Sequence, residues 1–365
     1  MKKKDIDFSR PGLKKSDLDI KKKILSIEAE PVRIKETDRI ADLVRSFKNS
    51  SIQARNVYKC ANVFRKMLLD KDQPTIYLGL AGPLIAAGLR DVIRSMIKLR
   101  MVDVVVATGA IIYQDIYQAR GFRHYIGDPD ADDTMLDRLY IDRIYDTYVD
   151  DEKFWDTDEW IGRIADKMKP GNYSSREFID EVGSKLSDEN SITKTARECG
   201  VPIFVPALND SSIGIGLTGH YYRSKKHKKQ GIHIDSIQDN YEITQTIVKS
   251  KKTAAIYIAG GVPKNYINDA VVMGYIFNDQ KGGHSYAFQL TTDVPHWGGL
   301  SGSTLKEATS WGKIDNDASY AMAFVEPSVS LPLVYSYVFQ EKSHKSRKRK
   351  KFSWDGDVLN SLKDE

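Results

Sequence analysis

One lysine of the chain stands in a setting that could make it a nucleophile. Lys313 follows Trp311 and Gly312 and comes shortly after a glycine-rich stretch, residues 298–302. A lysine amine attacks imines and carbonyl carbons when desolvation or a neighbouring cation favours its neutral form, and the indole of Trp311 could supply an apolar wall. By residue type alone, however, one lysine among 55 basic residues belongs on the solvated surface. The spacing leaves both interpretations open.

Short apolar runs alternate with helix-like stretches along most of the chain, and these elements must position the lysine. The helix-like stretches include residues 84–99, 236–250 and 265–272. The alternation predicts an α/β fold with a doubly wound, mostly parallel, Rossmann-like sheet and helices on both faces. The predicted strands span residues 75–80, 102–108, 202–207, 254–259, 285–290 and 321–325.

Small residues follow several of the predicted strands, at positions 81–82, 109–110 and 260–261. Open α/β sheets bind ligands beyond the carboxyl ends of their strands, where small residues admit a phosphate and helix N-termini stabilise its charge. None of these turns has the GxGxxG spacing, and a pair of glycines after a strand is often only a tight turn. The turns alone therefore do not specify a dinucleotide.

Composition excludes several classes of protein. Of the 365 residues 41% are hydrophobic and 29% are charged, and the formal net charge is +5. No apolar run reaches the roughly 18 residues of a membrane span, and the lysine-rich start does not resemble a signal peptide, so we expect a cytoplasmic protein without membrane contact. Cys60 and Cys199 form no CxxC pair, and the seven histidines show no HxxxH or HExxH spacing. We expect buried, reduced thiols and no bound metal.

Three segments are expected along the chain. Residues 1–50 are charged and weakly periodic, which indicates an N-terminal arm with helices; residues 51–342 hold the alternating elements; residues 343–365 form a basic, charged tail. The basic run at 344–351 is expected to be solvated, and nucleic acid is not an expected partner. The acidic stretch 127–133 lacks the EF-hand register and predicts an exposed loop that caps a helix.

Several segments together resemble the deoxyhypusine synthase family, over residues 75 to 338. Residues 307–314 (EATSWGKI) resemble the family's active-site segment. Residues 205–212 (VPALNDSS) and 260–264 (GGVPK) resemble its Pro-Ala-Leu-Thr-Asp-Gly-Ser and Gly-Gly-Val-Val-Lys segments. The sequence motifs VPKN, TTDVPHWGGLSG and DRIYDTY are most similar to those of the bacterial and archaeal deoxyhypusine-synthase-like proteins. The resemblance implies that residues 51–342 form an NAD-binding catalytic domain.

The resemblance also implies an aminobutyl transferase. In the family, hydride leaves the carbon beside a secondary amine of spermidine, and the lysine exchanges with the resulting imine and expels diaminopropane. An acceptor amine then takes the fragment, and the hydride returns. Lys313 would be the nucleophile, Glu307 would bind the amine, and Trp311 would line the substrate tunnel. The acceptor is a lysine of the hypusine-bearing translation factor, or putrescine in members of the superfamily that make homospermidine.

In the family, NAD lies at the carboxyl edge of the sheet in a subunit interface, which implies a homotetramer with NAD as cofactor. Glu326 stands where the family usually has aspartate, and its longer carboxylate can still accept both ribose hydroxyls. Positional matching gives these candidate contacts: Thr108, Asp210, Gly260, Gly261, Thr292, Asp293, Gly298, Ser301 and Glu326.

The implied amine pocket departs from the family pattern. A hydrogen bond to a charged group contributes about 1.5–3 kcal/mol, so the loss of two carboxylates weakens the binding of a terminal ammonium by a factor on the order of 10² or more. Spermidine in its usual pose is therefore disfavoured, unless Asp269, Asp293 or His296 supplies the charge from another side. Two family carboxylates align with Ile215 and Leu300, a histidine with Asn265, an asparagine with Asp269, and a glutamate with Gln114.

Two other functions stay open from the sequence. An amine dehydrogenase would keep the NAD edge, would not need Lys313, and would release reduced cofactor stoichiometrically. A catalytically inactive member would act as a regulatory subunit bound to an active paralogue. The intact Trp311-Gly312-Lys313 segment favours the transferase over both.

Overall fold

Strands and helices alternate in the computed structural model, which describes Arg10 and residues 12–277 and 282–365. The strands are β1 (Thr75–Leu80), β2 (Val104–Ala107), β3 (Tyr125–Ile126), β4 (Ile141–Ile144), β5 (Thr147–Asp150), β6 (Gly171–Tyr173), β7 (Ile203–Phe204), β8 (Ile232–Ile234), β9 (Thr253–Ile258), β10 (His284–Thr291), β11 (Ile314–Phe324), β12 (Lys350–Asp355) and β13 (Val358–Asp364). The helices are α1 (Lys15–Ile24), α2 (Ile40–Ser46), α3 (Ile52–Leu69), α4 (Arg90–Lys98), α5 (Gly109–Ala119), α6 (Asp133–Arg138), α7 (Asp151–Lys167), α8 (Ser175–Gly183), α9 (Ile192–Glu198), α10 (Ser212–Lys226), α11 (Ser236–Val248), α12 (Gly261–Ile276), α13 (Leu305–Ser310) and α14 (Pro327–Gln340).

A parallel sheet forms the centre of the described part of the chain, with its strands in the order β11-β10-β9-β1-β2-β7. Strands β1 and β9 are buried along their whole length, which is why the sequence shows continuous apolar runs there instead of alternation. From β1 the chain winds outward through β2 and β7 on one side and through β9, β10 and β11 on the other. The winding reverses between β1 and β9, and ligands of such sheets bind at this reversal. The predicted doubly wound α/β fold is confirmed.

The sheet separates two hydrophobic cores. Because neighbouring strand residues point to opposite faces, Leu78 of β1 joins the core on one face and Tyr77 joins the core on the other. Phe64 of α3 belongs to the first core and packs against Phe288 of β10, with ring centroids 5.5 Å apart. Ile267 of α12 belongs to the second core. Helices therefore cover both faces, as predicted.

Smaller elements surround the sheet. Strands β3, β5 and β4 form an antiparallel sheet, and β6 pairs with β8. The acidic stretch lies before α6, where the Asp132 carboxylate accepts from the N–H groups of Thr134 and Met135 at 3.0 and 3.3 Å. The predicted helix-capping loop is confirmed here. Helix α1 has no buried residue, whereas α2 is tied to α14 by the Ala41 N–H, which donates to Gln340 Oε1 at 2.9 Å.

The basic run near the C-terminus is only in part the solvated segment that we expected. Arg347 is fully buried, and its guanidinium pairs with the buried Asp103 carboxylate at 2.6 Å. Lys350 is also buried and starts the β12–β13 hairpin, where its Nζ lies 2.5 Å from Asp364. The expectation was wrong for these two residues, because a run of charge gives no information about partners that are distant in sequence, such as Asp103, 244 residues before Arg347.

The two cysteines are free; Cys60 is buried, and Cys199 is only half-buried. Within the residues that the structure describes, no helix combines the length and the hydropathy needed to cross a bilayer.

Candidate active site

Lys313 lies in the tight turn between α13 and β11. The helix begins with a capping box, in which Thr304 Oγ1 accepts from the Glu307 N–H at 3.0 Å. It ends at Ser310, and Gly312 in the turn that follows has a φ of +67°, which lies in the left-handed region that glycine adopts without strain. The Lys313 N–H donates to Ala308 O at 3.1 Å, and the Lys313 carbonyl accepts from the His284 N–H at 3.0 Å. The backbone of Lys313 is thereby fixed by both α13 and β10.

The side chain of Lys313 reaches across to α12 and is only 15% exposed. Its Nζ donates to Asp269 Oδ1 at 3.1 Å and to Asn265 Oδ1 at 3.4 Å. Asn265 Nδ2 in turn donates to Asp269 Oδ2 at 2.8 Å, because residues four apart share one face of a helix. Nζ lies 5.6 Å from the ring centroid of Trp311. Lys313 is therefore not the solvated surface lysine of the alternative interpretation.

A second lysine beside this cluster was missed by the sequence interpretation. Lys264 is almost fully buried, and its Nζ donates to Ser303 O at 2.6 Å and to Leu300 O at 3.2 Å. Burial lowers the pKa of Lys264 to about 8, while the carboxylate of Glu307 acts in the opposite direction. Its place in the GGVPK segment was the available signal. The side chain holds the glycine-rich loop, residues 298–303, against α12.

The glycine-rich loop also covers the start of α12. Ser301 Oγ accepts from the Gly261 N–H at 2.8 Å, and Ser301 O accepts from Gln289 Nε2 at 2.7 Å. A Cβ on Gly260 would lie 2.6 Å from Ser301 Cα, so this approach requires glycine. The structure thus brings three of the predicted cofactor residues into contact. Gly298 lies in the same loop with φ +66° and is exposed.

The other predicted cofactor residues follow the carboxyl ends of strands, which all lie at one edge of a parallel sheet. Thr108 follows β2 and Asp210 follows β7, whereas the exposed Thr292 and Asp293 follow β10. Glu326 follows β11 and caps α14, accepting from the Val329 N–H at 3.3 Å, so part of its carboxylate is already engaged. The candidates share one edge but lie on both sides of β1.

Two helix N-termini meet at the β2–β7 side of this edge. Gly109 packs so closely on Ser211 that a Cβ would lie 2.2 Å from Ser211 Oγ. Within the residues that the structure describes, the side chains of Thr108 and Ser211 do not cap the helices that follow them. Ser211 Oγ instead donates to Leu208 O at 2.7 Å. First-turn N–H groups of α5 and α10 can therefore bind an anion, beside the exposed carboxylate of Asp210.

The residues aligned with the amine pocket divide between opposite ends of the sheet. Asn265 and Asp269 lie at Lys313, near β9 to β11. Ile215 lies on α10, and Gln114 is buried on α5, where its Oε1 accepts from the Ala86 N–H at 3.2 Å. Strands β7 and β11 are five strand spacings apart, which is about 24 Å. A single chain therefore does not bring Ile215 to Lys313.

Large apolar side chains near both groups are exposed. Trp311 is 67% exposed, Trp297 84%, Leu300 41% and Ile215 61%. Exposed apolar groups of this size mark interaction surfaces when they lie together. Glu307 is also exposed, and its carboxylate contacts the Thr304 N–H at 3.4 Å. Among the described residues, no group of three or more histidine, cysteine or acidic side chains comes together in a way that could hold a metal.

Comparison with known proteins gives consistent matches. Residues 42–338 match the family model described as deoxyhypusine synthase. The chain is similar to "Probable deoxyhypusine synthase 2" of Methanosarcina acetivorans, 40% identical over 331 residues that cover 89% of this chain and 94% of that protein. It is similar to the "Deoxyhypusine synthase-like protein" of Chlorobaculum tepidum, 42% identical over 320 residues, 86% of this chain and 90% of that protein. A crystal structure assigned as a deoxyhypusine synthase from Entamoeba histolytica has a similar fold, with a TM-score of 0.57, 19% identity, and coverage of 85% of this chain and 96% of that chain.

Proposed function

The chain belongs to the deoxyhypusine synthase family, and from this we propose that it is an NAD-dependent transferase of aminobutyl groups. The donor is spermidine or a related polyamine, the group is carried as an imine on Lys313, and an acceptor amine receives it. The observation that carries this proposal is the position of Lys313, which is held by α13 and β10 and directed to Asp269 at 3.1 Å.

The carboxyl edge of the sheet fits a dinucleotide. The adjoining N-termini of α5 and α10 offer N–H groups to a pyrophosphate, and Thr108 and Asp210 would lie against it. The exposed carboxylates of Asp210, Asp293 and Glu326 can accept from ribose hydroxyls. When bound, NAD would supply a hydride acceptor that later returns the hydride. The remaining candidate contacts are Gly260 and Gly261 at the start of α12, Gly298 and Ser301 in the glycine-rich loop, and Thr292 directly after β10.

The chain's own residues then account for the transfer. Lys313 Nζ attacks the oxidised donor carbon, and the C–N bond to the departing amine breaks. Trp311 lies beside Nζ and excludes water from one side of the imine. Because Ile215 and Leu300 carry no charge, the Asp269 carboxylate is the nearest group to Nζ that can bind an ammonium. A donor that uses this carboxylate is favoured over spermidine in the usual pose of the family.

The division of the site residues supports a site that a second copy completes. Strand β7, which precedes the helix that carries Ile215, lies about 24 Å from β11, which follows Lys313 in the same chain, by the strand spacing of the sheet. The exposed side chains of Trp297, Leu300 and Trp311 are available for contact with another subunit. We therefore include a homotetramer in the proposal. The acceptor is either a protein lysine or a small amine such as putrescine.

Product analysis tests the proposed function. The purified protein is incubated with NAD and a panel of diamines and polyamines, and the products are identified by mass spectrometry. A transferase yields a new secondary amine without accumulation of reduced NAD. Lys313→Arg should abolish formation of this amine, because arginine keeps its charge and does not attack the donor imine. Lys306→Arg is the matched control, since Lys306 is an exposed lysine on α13, the helix that precedes Lys313.

Two results would contradict this function. Stoichiometric reduced NAD together with full activity of Lys313→Arg would identify an amine dehydrogenase instead. Absence of any product and of NAD binding by calorimetry would favour an inactive, regulatory subunit.

A further inference from the structure

We propose that Asp269 is a catalytic residue that relays protons between Lys313 and the nitrogen that Lys313 displaces. This inference rests on the proposed function, because it assigns the proton transfers of the imine exchange. It goes beyond that function, since the family pattern has asparagine at this position.

The geometry places one carboxylate oxygen on the reacting nitrogen. Asp269 Oδ1 accepts from Lys313 Nζ at 3.1 Å, and Oδ2 is held by the amide of Asn265 at 2.8 Å. The second contact fixes the carboxylate plane, because both residues lie on consecutive turns of α12. The Asp269 side chain is still 46% exposed, so the same carboxylate also faces the side from which an amine arrives.

The other groups around Nζ are less suited to this task. The second hydrogen bond of Nζ goes to Asn265, and an amide does not take up a proton. Lys264 is a cation held by loop carbonyls. Glu307 is engaged in the capping box of α13, and Asp293 lies in the loop after β10, without a hydrogen bond to Nζ in the described structure. Of the partners that Nζ contacts, Asp269 is the one that can accept and donate a proton.

The departures from the family pattern agree with this assignment. The positions that carry histidine and glutamate in the family hold Asn265 and Gln114 here, and neither amide can carry a proton. The position that carries asparagine holds Asp269 instead. The titratable group has therefore moved by one turn along α12, to a place in contact with Lys313.

The exchange requires two proton transfers. It starts with a Lys313 ammonium and a donor iminium, R–CH=NH⁺–R′, which hydride loss to the nicotinamide cofactor supplies. It ends with a Lys313 iminium and a free ammonium, R′NH₃⁺. Nζ forms a double bond to carbon, both bonds from carbon to the old nitrogen break with their electron pairs, and two protons pass from Nζ to that nitrogen. Asp269 takes each proton from Nζ and gives it to the departing nitrogen, so its own charge is restored.

A reaction that needs neither cofactor nor donor tests the relay. Butyraldehyde with cyanoborohydride alkylates a neutral lysine through the same kind of imine, and peptide mass spectrometry gives the rate at Lys313 as a function of pH. On the high-pH plateau Lys313 is neutral in every variant, so that plateau reports proton transfer and is independent of the ion pair. Asp269→Asn should lower the plateau rate about tenfold or more, because positioned acid–base groups contribute roughly 10²–10⁴. Asp269→Glu should restore part of the rate.

Asp317→Asn is the matched control, since Asp317 is an exposed aspartate on β11, four residues after Lys313, and should leave the plateau unchanged. Asp269→Asn and the parent could have equal plateau rates and differ only in the midpoint of the pH profile. Asp269 would then be an ion-pair partner of Lys313 and not a proton relay, and the proposal would be overturned. That result would leave the transferase function standing. If Lys313 of the parent reacts no faster than the exposed Lys306, the nucleophile is wrong, and both proposals fail together.

Discussion

Replacement of Gly260 by alanine separates a structural requirement for this glycine from a requirement of the cofactor. The added Cβ would lie 2.6 Å from Ser301 Cα and 2.9 Å from Ser301 Cβ. Ordinary contact begins near 3.4 Å, so the glycine-rich loop must move by about 1 Å. The φ of Gly260 is 175°, outside the left-handed region, and the prediction is based on this contact.

The magnitude follows from the hydrogen bonds that the loop makes. A shift of about 1 Å stretches the bond from the Gly261 N–H to Ser301 Oγ, now 2.8 Å, and the bond from Gln289 Nε2 to Ser301 O, now 2.7 Å. Each such bond contributes about 0.5–1.5 kcal/mol, so Gly260→Ala should lower the free energy of unfolding by about 1–3 kcal/mol. The Lys264 anchor at Ser303 O should keep the rest of the loop in place.

Urea unfolding of the protein without NAD measures this loss. Gly299→Ala is the matched control, because a Cβ on this glycine of the same loop meets nothing within 4 Å. We expect the control to unfold within about 0.5 kcal/mol of the parent, as surface substitutions do. If Gly260→Ala is as stable as Gly299→Ala and only weakens NAD binding, the glycine serves the cofactor and the packing argument is refuted.

Three further predictions concern the amine pocket, the C-terminal hairpin and the buried lysine. Ile215→Asp combined with Leu300→Asp should raise spermidine turnover by a factor on the order of 10²; strong parental turnover that the double variant does not improve would contradict the departure from the family pocket. Arg347→Met should lower the free energy of unfolding by about 3–5 kcal/mol, because it leaves the buried Asp103 carboxylate unpaired, whereas Asp103→Leu with Arg347→Met should come close to the parent; equal losses in urea unfolding would disprove this. Since the folded pKa of Lys264 is about 8 and its ordinary value is 10.5, the unfolded state binds more protons between these values, and stability should rise with pH across that window. Lys264→Met should remove that contribution to the slope, and an unchanged slope in thermal unfolding would show that Lys264 is not the cause.

The predicted strands were accurate where burial is continuous and inaccurate at the sheet edge. The prediction over residues 75–80 coincides with β1, and 254–259 lies within one residue of β9. The prediction over 321–325 finds only the last part of β11, which starts at Ile314 and passes through exposed polar residues. An apolar run indicates a strand that is covered on both faces, so an edge strand with polar side chains gives a weaker signal.

The ends of the helices were predicted less well than their existence, because they depend on contacts that the local sequence pattern does not contain. The prediction over 84–99 is a helix only for Arg90–Lys98, and Gly82 and Gly88, both with positive φ, mark the turns that precede it. The helix predicted over 265–272 is longer in the structure, where it spans Gly261–Ile276. Glycine and proline in its first turn, GVPK, predict a loop. Proline nevertheless fits the first turn of a helix, because the N–H groups there have no acceptor within the helix.

The two lysines at the site show why residue type and motif do not assign chemistry by themselves. Lys264 lies in a motif as specific as that of Lys313, and burial lowers its pKa to about 8, so its amine is more readily neutral than an ordinary lysine. A nucleophile must also reach its substrate, however, and Lys264 is 1% exposed with Nζ held by Ser303 O at 2.6 Å. Lys313 keeps a 15% exposed side chain next to the more exposed Asp269 and Trp311. Access and a proton acceptor in contact with Nζ therefore assign the attack to Lys313, and Lys264 positions the loop beside it.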